Sequence, residues 1–164
     1  MSWFVKSLLI LAVCIGATWL IRGYGEYMKK RRIESRELIM LIGLVRRNLS
    51  ARLLTPKESL AGASGFSAGI ERVCILVAEG KALPEAFALA SPHLSLSGEC
   101  KRLTGEHLAL FGAGRREDEV RCLDELLERL SALVDKEEAS GENDLRVARS
   151  VIIAIALGII IFII

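Results

Sequence analysis

The feature that most constrains this chain is the segregation of its charge. All of its acidic side chains, and every basic one except Lys6, lie between Arg22 and Arg149, so the two ends are almost uncharged apolar runs. From Trp3 to Ile21 the sequence reads WFVKSLLILAVCIGATWLI, close to the length a helix needs to cross a hydrocarbon core. Lys6 is near enough to its start to snorkel to the interface. The second run, SVIIAIALGIIIFII from Ser150 to Ile164, covers about 22 Å as a helix. Val147 and Ala148 extend it if Arg149 snorkels, and it has no polar face that a helix lying flat on a membrane could present to water. Composition agrees, with 52% hydrophobic residues and a mean hydropathy of +0.40. A transmembrane helix is therefore expected at each end. The first should be a retained anchor, because no small-residue cleavage site closes it and basic residues follow it.

Those basic residues set an expected orientation. Arg22, Lys29, Lys30, Arg31, Arg32 and Arg36 follow the first run, and Arg146 and Arg149 precede the second. A basic excess flanking membrane segments marks the cytoplasmic side. Both termini are then outside, and the expected organisation is a membrane helix over 1–22, a cytoplasmic domain over 23–146 and a second membrane helix over 147–164. Each apolar run also holds a small pair at four-residue spacing, Ala12 with Gly16 and Ala154 with Gly158, which would let two helix backbones approach closely.

Between the anchors the periodicity is helical, with no alternating strand pattern and no hairpin signal, so the domain is expected to be all-α. Over Glu34 to Arg52, the residues Leu38, Leu41, Ile42, Val45 and Leu49 form an apolar stripe backed by Arg36, Arg46, Arg47 and Arg52, continuing the first membrane helix. Thr55, Pro56 and Glu58 form a helix start, with Thr as cap, Pro where no amide is needed and Glu reaching back to the cap amide. Gly62, Ser64 and Gly65 break that helix, Ile70, Val73, Cys74 and Val77 resume the stripe, and Gly80 ends it. A short helix follows from Pro84, a break at Ser91 and Pro92, a helix around Leu103 to Phe111, and a second break at Gly112 and Gly114.

The longest pattern comes last. Val120, Leu123, Leu127, Leu130 and Val134, with Leu126 and Leu133 beside them, make a coiled-coil-like seam. Ser140, Gly141 and Asn143 then read as a hinge before the second anchor. The whole is expected to be a membrane-anchored helical bundle, with its first and last helices running toward the bilayer. Leu123, Leu127, Leu130 and Val134, with Arg46 and Arg47, are the candidate partner interface.

Catalytic chemistry is not signalled. There is neither a GxxxxGK[ST] loop nor a GxGxxG turn after a strand, so no nucleotide or other cofactor is expected. His93 and His107 have no metal-ligand spacing to any cysteine, and Cys14, Cys74, Cys100 and Cys122 stand far apart as reduced structural thiols. Glu117, Asp118 and Glu119 are favoured by the helix dipole at a helix start without any catalytic role. A formal net charge of +2 gives no chain-wide attraction to nucleic acid.

Four stretches in order resemble the stage III sporulation protein AB family of endospore-forming bacteria, over nearly the whole chain. The first is the apolar amino end with its basic flank. The second is ESRELIMLIGLVRRNLSARLLTPKESL, in which Leu54, Thr55, Pro56, Glu58 and Leu60 match the family's TPLPEAL-like segment. The third is GKALPEAFALA, where Phe87 stands in place of the family's Trp. The fourth runs from Leu110 through FGAGRREDEVRCLDELLERL to the apolar carboxyl end, with the usual Leu-Gly-Ser-Asp shortened and Glu119 where a Gln is common.

The resemblance implies a non-enzymatic component of the secretion-like channel between mother cell and forespore, placed in the mother-cell membrane that faces the forespore. It also implies a cytoplasmic part similar to the platform domains of type II secretion and type IV pilus machines. The implied partners are the stage III sporulation AA ATPase, other channel components and the bilayer, with self-association left open. A membrane-anchored adaptor that recruits a soluble protein through its helical seam is the alternative.

Overall fold

The computed structural model describes residues 3–51, 54–112 and 114–163. Among these residues the regular structure is entirely helical, as the missing strand patterns predict. Helix α1 spans Trp3–Ala51, α2 Pro56–Leu60, α3 Ala68–Ala78 and α4 Leu83–Ala90. A single 3-10 turn over Ser91–His93 leads to α5, Gly98–Ala109, and α6 runs over Arg116–Ile163. Arg52, expected to back the α1 stripe, lies outside the described residues, as does Ile164 at the end of the second apolar run.

Two compact units emerge. One is built from the parts of α1 up to Lys29 and of α6 from Glu138 onward, and the other is Lys30–Glu137. Residues 23–29 and 138–146, expected in the central domain, group with the outer parts of α1 and α6, and both helices run through them without a break. The hinge expected at Ser140, Gly141 and Asn143 is a correction for the same reason: all three sit inside α6. Gly141 is buried there, and a Cβ added to it would stand 3.5 Å from Met28 Cε. It is a contact position within a continuous helix, and a Cβ there would meet Met28 at ordinary van der Waals distance.

The core of Lys30–Glu137 is assembled from periodic stripes. Helix α1 contributes Leu38, Leu41, Ile42, Val45 and Leu49, α3 contributes Ile70, Val73, Cys74 and Val77, and α4 contributes Leu83, Ala86, Phe87 and Ala90. Leu94, Leu96, Cys100 and Leu108 add the α5 side. Phe87 is 3% exposed, so this aromatic is a core anchor.

Local chemistry sets the ends of the short helices. Thr55 and Glu58 close a reciprocal capping box: Glu58 N donates to Thr55 Oγ1 at 3.3 Å and Thr55 N donates to a Glu58 carboxylate oxygen at 2.8 Å, with Pro56 at the first position. Helix α3 ends in a Schellman motif around Gly80, whose φ is +99°, with Gly80 N donating to Val77 O and Lys81 N to Leu76 O. Helix α5 begins at Gly98, several residues before the expected start near Leu103, because Ser97 Oγ accepts from Cys100 N at 3.0 Å.

Two carboxylates on α1, one turn apart, tie these short helices to the long one. Glu34, fully buried, accepts from Ser95 N through Oε2, and its Oε1 stands 3.8 Å from Lys30 Nζ. Glu37 accepts at 2.8 Å from the amide of Ser67, the residue that precedes α3. The packing here is tight enough that a Cβ on Gly69 would come within 2.8 Å of Leu94 Cδ2 and 3.0 Å of Glu34 Oε1.

The capping box predicts a pH-dependent local effect. Hydrogen bonds from the Thr55 backbone amide and then the Thr55 side chain hold the Glu58 carboxyl below its ordinary range. A depressed carboxylate contributes stability above its unfolded value that is lost as pH falls through the folded value. Thr55→Ala is expected to cost about 1 kcal/mol at neutral pH. Glu58→Gln should flatten the acid limb of a stability curve followed by circular dichroism in urea.

Candidate interaction surfaces

Within Lys30–Glu137, the stripes of α1 and α6 face each other, and polar contacts at several levels fix their pairing. Arg31 Nη2 meets Glu137 Oε2 at 2.9 Å. Arg46 Nη2 donates to Asp124 Oδ2 at 2.9 Å while its Nε lies 2.7 Å from Oδ1, off the hydrogen-bonding line. The Asp124 contact raises the Arg46 guanidinium further above its already high ordinary value. Arg116, at the start of α6, donates through Nε at 2.8 Å and through Nη2 to the carbonyl of Leu49. One guanidinium thus satisfies an acceptor in the last turn of α1, where carbonyls lose their helical partners.

This pairing relocates the expected partner interface. Leu123, Leu130 and Val134 are buried in the domain, as is Leu126, so the seam is spent inside the chain. Its period of three and four is what a core-facing helix and a partner-facing helix share, and α1 supplied the partner internally. Of the named residues, Leu127 stays half-buried, Arg47 is exposed, and Arg46 is engaged by Asp124.

Leu127 and Arg47 do belong to a surface feature. With Met40, Gly43, Leu44 and Phe66, and the Arg46 and Asp124 pair, they line an open groove of about 530 Å³. Met40 is 64% exposed, on the face of α1 opposite its core stripe. Its lining mixes apolar Met40, Leu44, Phe66 and Leu127 with charged Arg46, Arg47 and Asp124, the make-up of a contact surface. Thr55, Pro56, Glu58 and Leu60 lie elsewhere, in the capping box and core, and act as structure.

In the unit formed by the outer parts of α1 and α6, the small pairs named from the sequence face outward. Gly16 and Gly158 have nothing within 4 Å of an added Cβ, and Ala12 and Ala154 are exposed. The shielded row on α1 is instead Ile10, Val13, Ala17, Ile21, Gly25 and Met28, and on α6 it is Gly141, Leu145, Ala148, Ile152, Ala156 and Ile160. Small residues do lie in these shielded rows, namely Ala17, Gly141, Ala148 and Ala156, but on a neighbouring face. The four-residue spacing alone does not say which face pairs when a segment is rich in alanine and glycine.

The thiols and imidazoles are accounted for locally. Cys122 Sγ contacts His107 O at 3.5 Å, and His107 Nδ1 donates to Leu103 O at 3.0 Å, while His93 is exposed. At the start of α6, Asp118 pairs with Arg121. Cys100 is fully buried, and burial first, then the Glu137 charge, pushes its thiol up to about 11. Among the described residues no group of three or more His, Cys, Asp or Glu is placed to hold a metal ion.

Sequence reasoning passed over Glu34, Glu37 and Arg116. For the first a signal was present: Glu34 stands four residues before Leu38 and seven before Leu41, on the buried stripe itself. A carboxylate in register with a core face must find an internal donor.

Comparison of the chain with models of protein families, with curated proteins and with solved structures returns no match.

Two predictions follow from these placements. Leu130→Ala should destabilise the domain by about 2–5 kcal/mol, whereas Met40→Ala should change stability by less than about 0.5 kcal/mol, as read from urea unfolding. Cys100, and with it buried Cys74, whose thiol burial also raises, should resist iodoacetamide at pH 8 in the native protein and react once it is unfolded, as mapped by peptide mass spectrometry. The raised Cys100 value adds stability that is complete below the ordinary thiol value of 9.0 and fades as pH rises toward 11.

Proposed function

We propose that this chain is a non-enzymatic membrane platform, a helical domain held at the cytoplasmic face of a membrane by an apolar helix at each end, which offers the groove between α1 and α6 to a soluble partner. The observation that carries the reading is the state of the apolar runs. Both α1 and α6 contain a window long and apolar enough to cross a membrane, and 0% of either window is buried in protein. Apolar helical surface on this scale, left uncovered, needs a nonaqueous environment. Meanwhile the central unit encloses its own hydrophobic core.

The identity of the partner follows from the resemblance to the stage III sporulation AB family, which points to the sporulation AA ATPase and to a channel in the mother-cell membrane facing the forespore. The basic residues flanking both apolar runs support a cytoplasmic domain with both termini outside. A platform of this kind works by holding a motor at a fixed surface. What it needs are a rigid bundle and an accessible face, and the charged clamp between α1 and α6 beside the Met40 groove supplies both.

The adaptor alternative keeps the same architecture and changes only the partner. Its seam of Leu123, Leu130 and Val134 is core, so an adaptor too would have to use the groove. The test is calorimetric titration of the full chain, in lipid nanodiscs, with the purified AA-type ATPase, with and without ATP. Binding that is abolished by Met40→Asp, with the helical spectrum unchanged, is the expected result. No heat of binding under either condition would remove the ATPase as partner and leave the adaptor.

A further inference from the structure

A second groove lies in the unit formed by the outer parts of α1 and α6. It measures about 420 Å³ and is lined by Ile21, Arg22, Gly25, Glu26, Lys29 and Arg149. Two helices therefore bring three cations around one cavity that contains a single carboxylate. Arg22, Lys29 and Arg149 are exposed, and none of the three has an ion-pair partner among the described residues.

The rows that meet between the helices explain why the cations converge. The contact of Met28 with Gly141 sets the antiparallel register, and equal steps of three and four from it bring Ala148 level with Ile21. Arg149 and Arg22 are the next residues along each chain, so they flank the same level. Gly25, with no side chain, leaves the floor open. Lys29 lies two turns further along α1 and completes the lining, and like charges around one cavity repel and raise the cost of pairing the helices unless an anion lies between them.

We propose that this groove binds the phosphodiester headgroup of an anionic phospholipid, with Arg22, Lys29 and Arg149 as its ligands. The inference rests on the membrane reading, since the groove sits where both apolar runs end: Arg22 immediately follows the first, and Arg149 immediately precedes the second. A lipid in this place has its phosphate among the cations and its acyl chains along the unburied apolar surface, which free phosphate lacks. Guanidinium forks are suited to phosphate oxygens, and basic pockets between membrane helices on the cytoplasmic side are a recurrent lipid-binding arrangement. Glu26 keeps the groove from being purely cationic and favours a headgroup that also carries hydroxyl donors.

Trp19 gives a direct readout. It is exposed, one helical turn before Arg22 and on the same side of the helix, and Trp3 is the chain's other tryptophan. The full-length Trp3→Phe protein is placed in nanodiscs whose lipids carry brominated acyl chains, and quenching of Trp19 is compared for phosphatidylcholine, phosphatidylglycerol and cardiolipin. The anionic lipids are expected to associate preferentially, with the preference falling about fivefold for each of Arg22→Gln, Lys29→Gln and Arg149→Gln. Arg146→Gln, which removes the same charge one turn outside the groove, should leave it intact. Inorganic phosphate at matched ionic strength should not compete.

Equal quenching by all three lipids would overturn the site while leaving the membrane reading in place. Quenching by none would overturn both. A preference that falls as much with Arg146→Gln as with Arg149→Gln would assign it to diffuse basic charge and overturn the groove. Competition by inorganic phosphate would make the ligand a free anion.

Discussion

A carboxylate shut away from solvent has to be answered from within the protein, and in this chain Glu34 is answered by a backbone amide 61 residues further along. Its oxygen accepts the amide of Ser95, in the link between the 3-10 turn and α5, while Lys30 stands one turn back along α1. The geometry of that bond fixes how the Leu94–Leu96 segment lies on α1, and Leu94 in turn presses on Gly69 of α3. Glu37 repeats the device at the start of α3. The short helices, too short to be stable alone, are thereby registered against the long one.

The two units divide the work of the chain according to what each buries. The central unit consumes its apolar stripes internally and leaves open surface grooves, among them the one lined by Met40 and Leu127. The outer parts of α1 and α6 cover only one narrow row each, and their remaining surface is apolar and uncovered. Such a division combines a unit that has its own hydrophobic core with a unit whose surface water does not suit. A platform and an adaptor both use this arrangement, which is why the partner rather than the architecture separates them.

Much of this was legible in the sequence, because the signals were local or periodic. The Thr55, Pro56 and Glu58 start, the Gly80 end and the α1 and α3 stripes depend on chemistry within a few residues, and each lies where it was expected. Pairing was not legible. The Leu123 to Val134 seam reads identically whether its partner is α1 or another protein, and Ala12 with Gly16 reads identically to Ala17 with its neighbours until the second helix is in place. Gly141 illustrates the same limit, since a glycine beside Ser140 and Asn143 resembles a hinge in isolation and becomes a contact residue only against Met28. Long-range polar contacts such as Arg116 with Leu49 leave no local trace.

The contacts that close α1 on α6 also bear on how the chain acquires its fold. Arg46 meets Asp124 across 78 residues, and Arg116 meets Leu49 across 67, whereas the caps of α2, α3 and α5 join residues a few positions apart. Loop closure over such separations costs entropy before any contact repays it. On that ground the local turns are expected to form before the α1 with α6 clamp, and until the clamp closes the Leu123 to Val134 stripe is open to association with neighbouring chains.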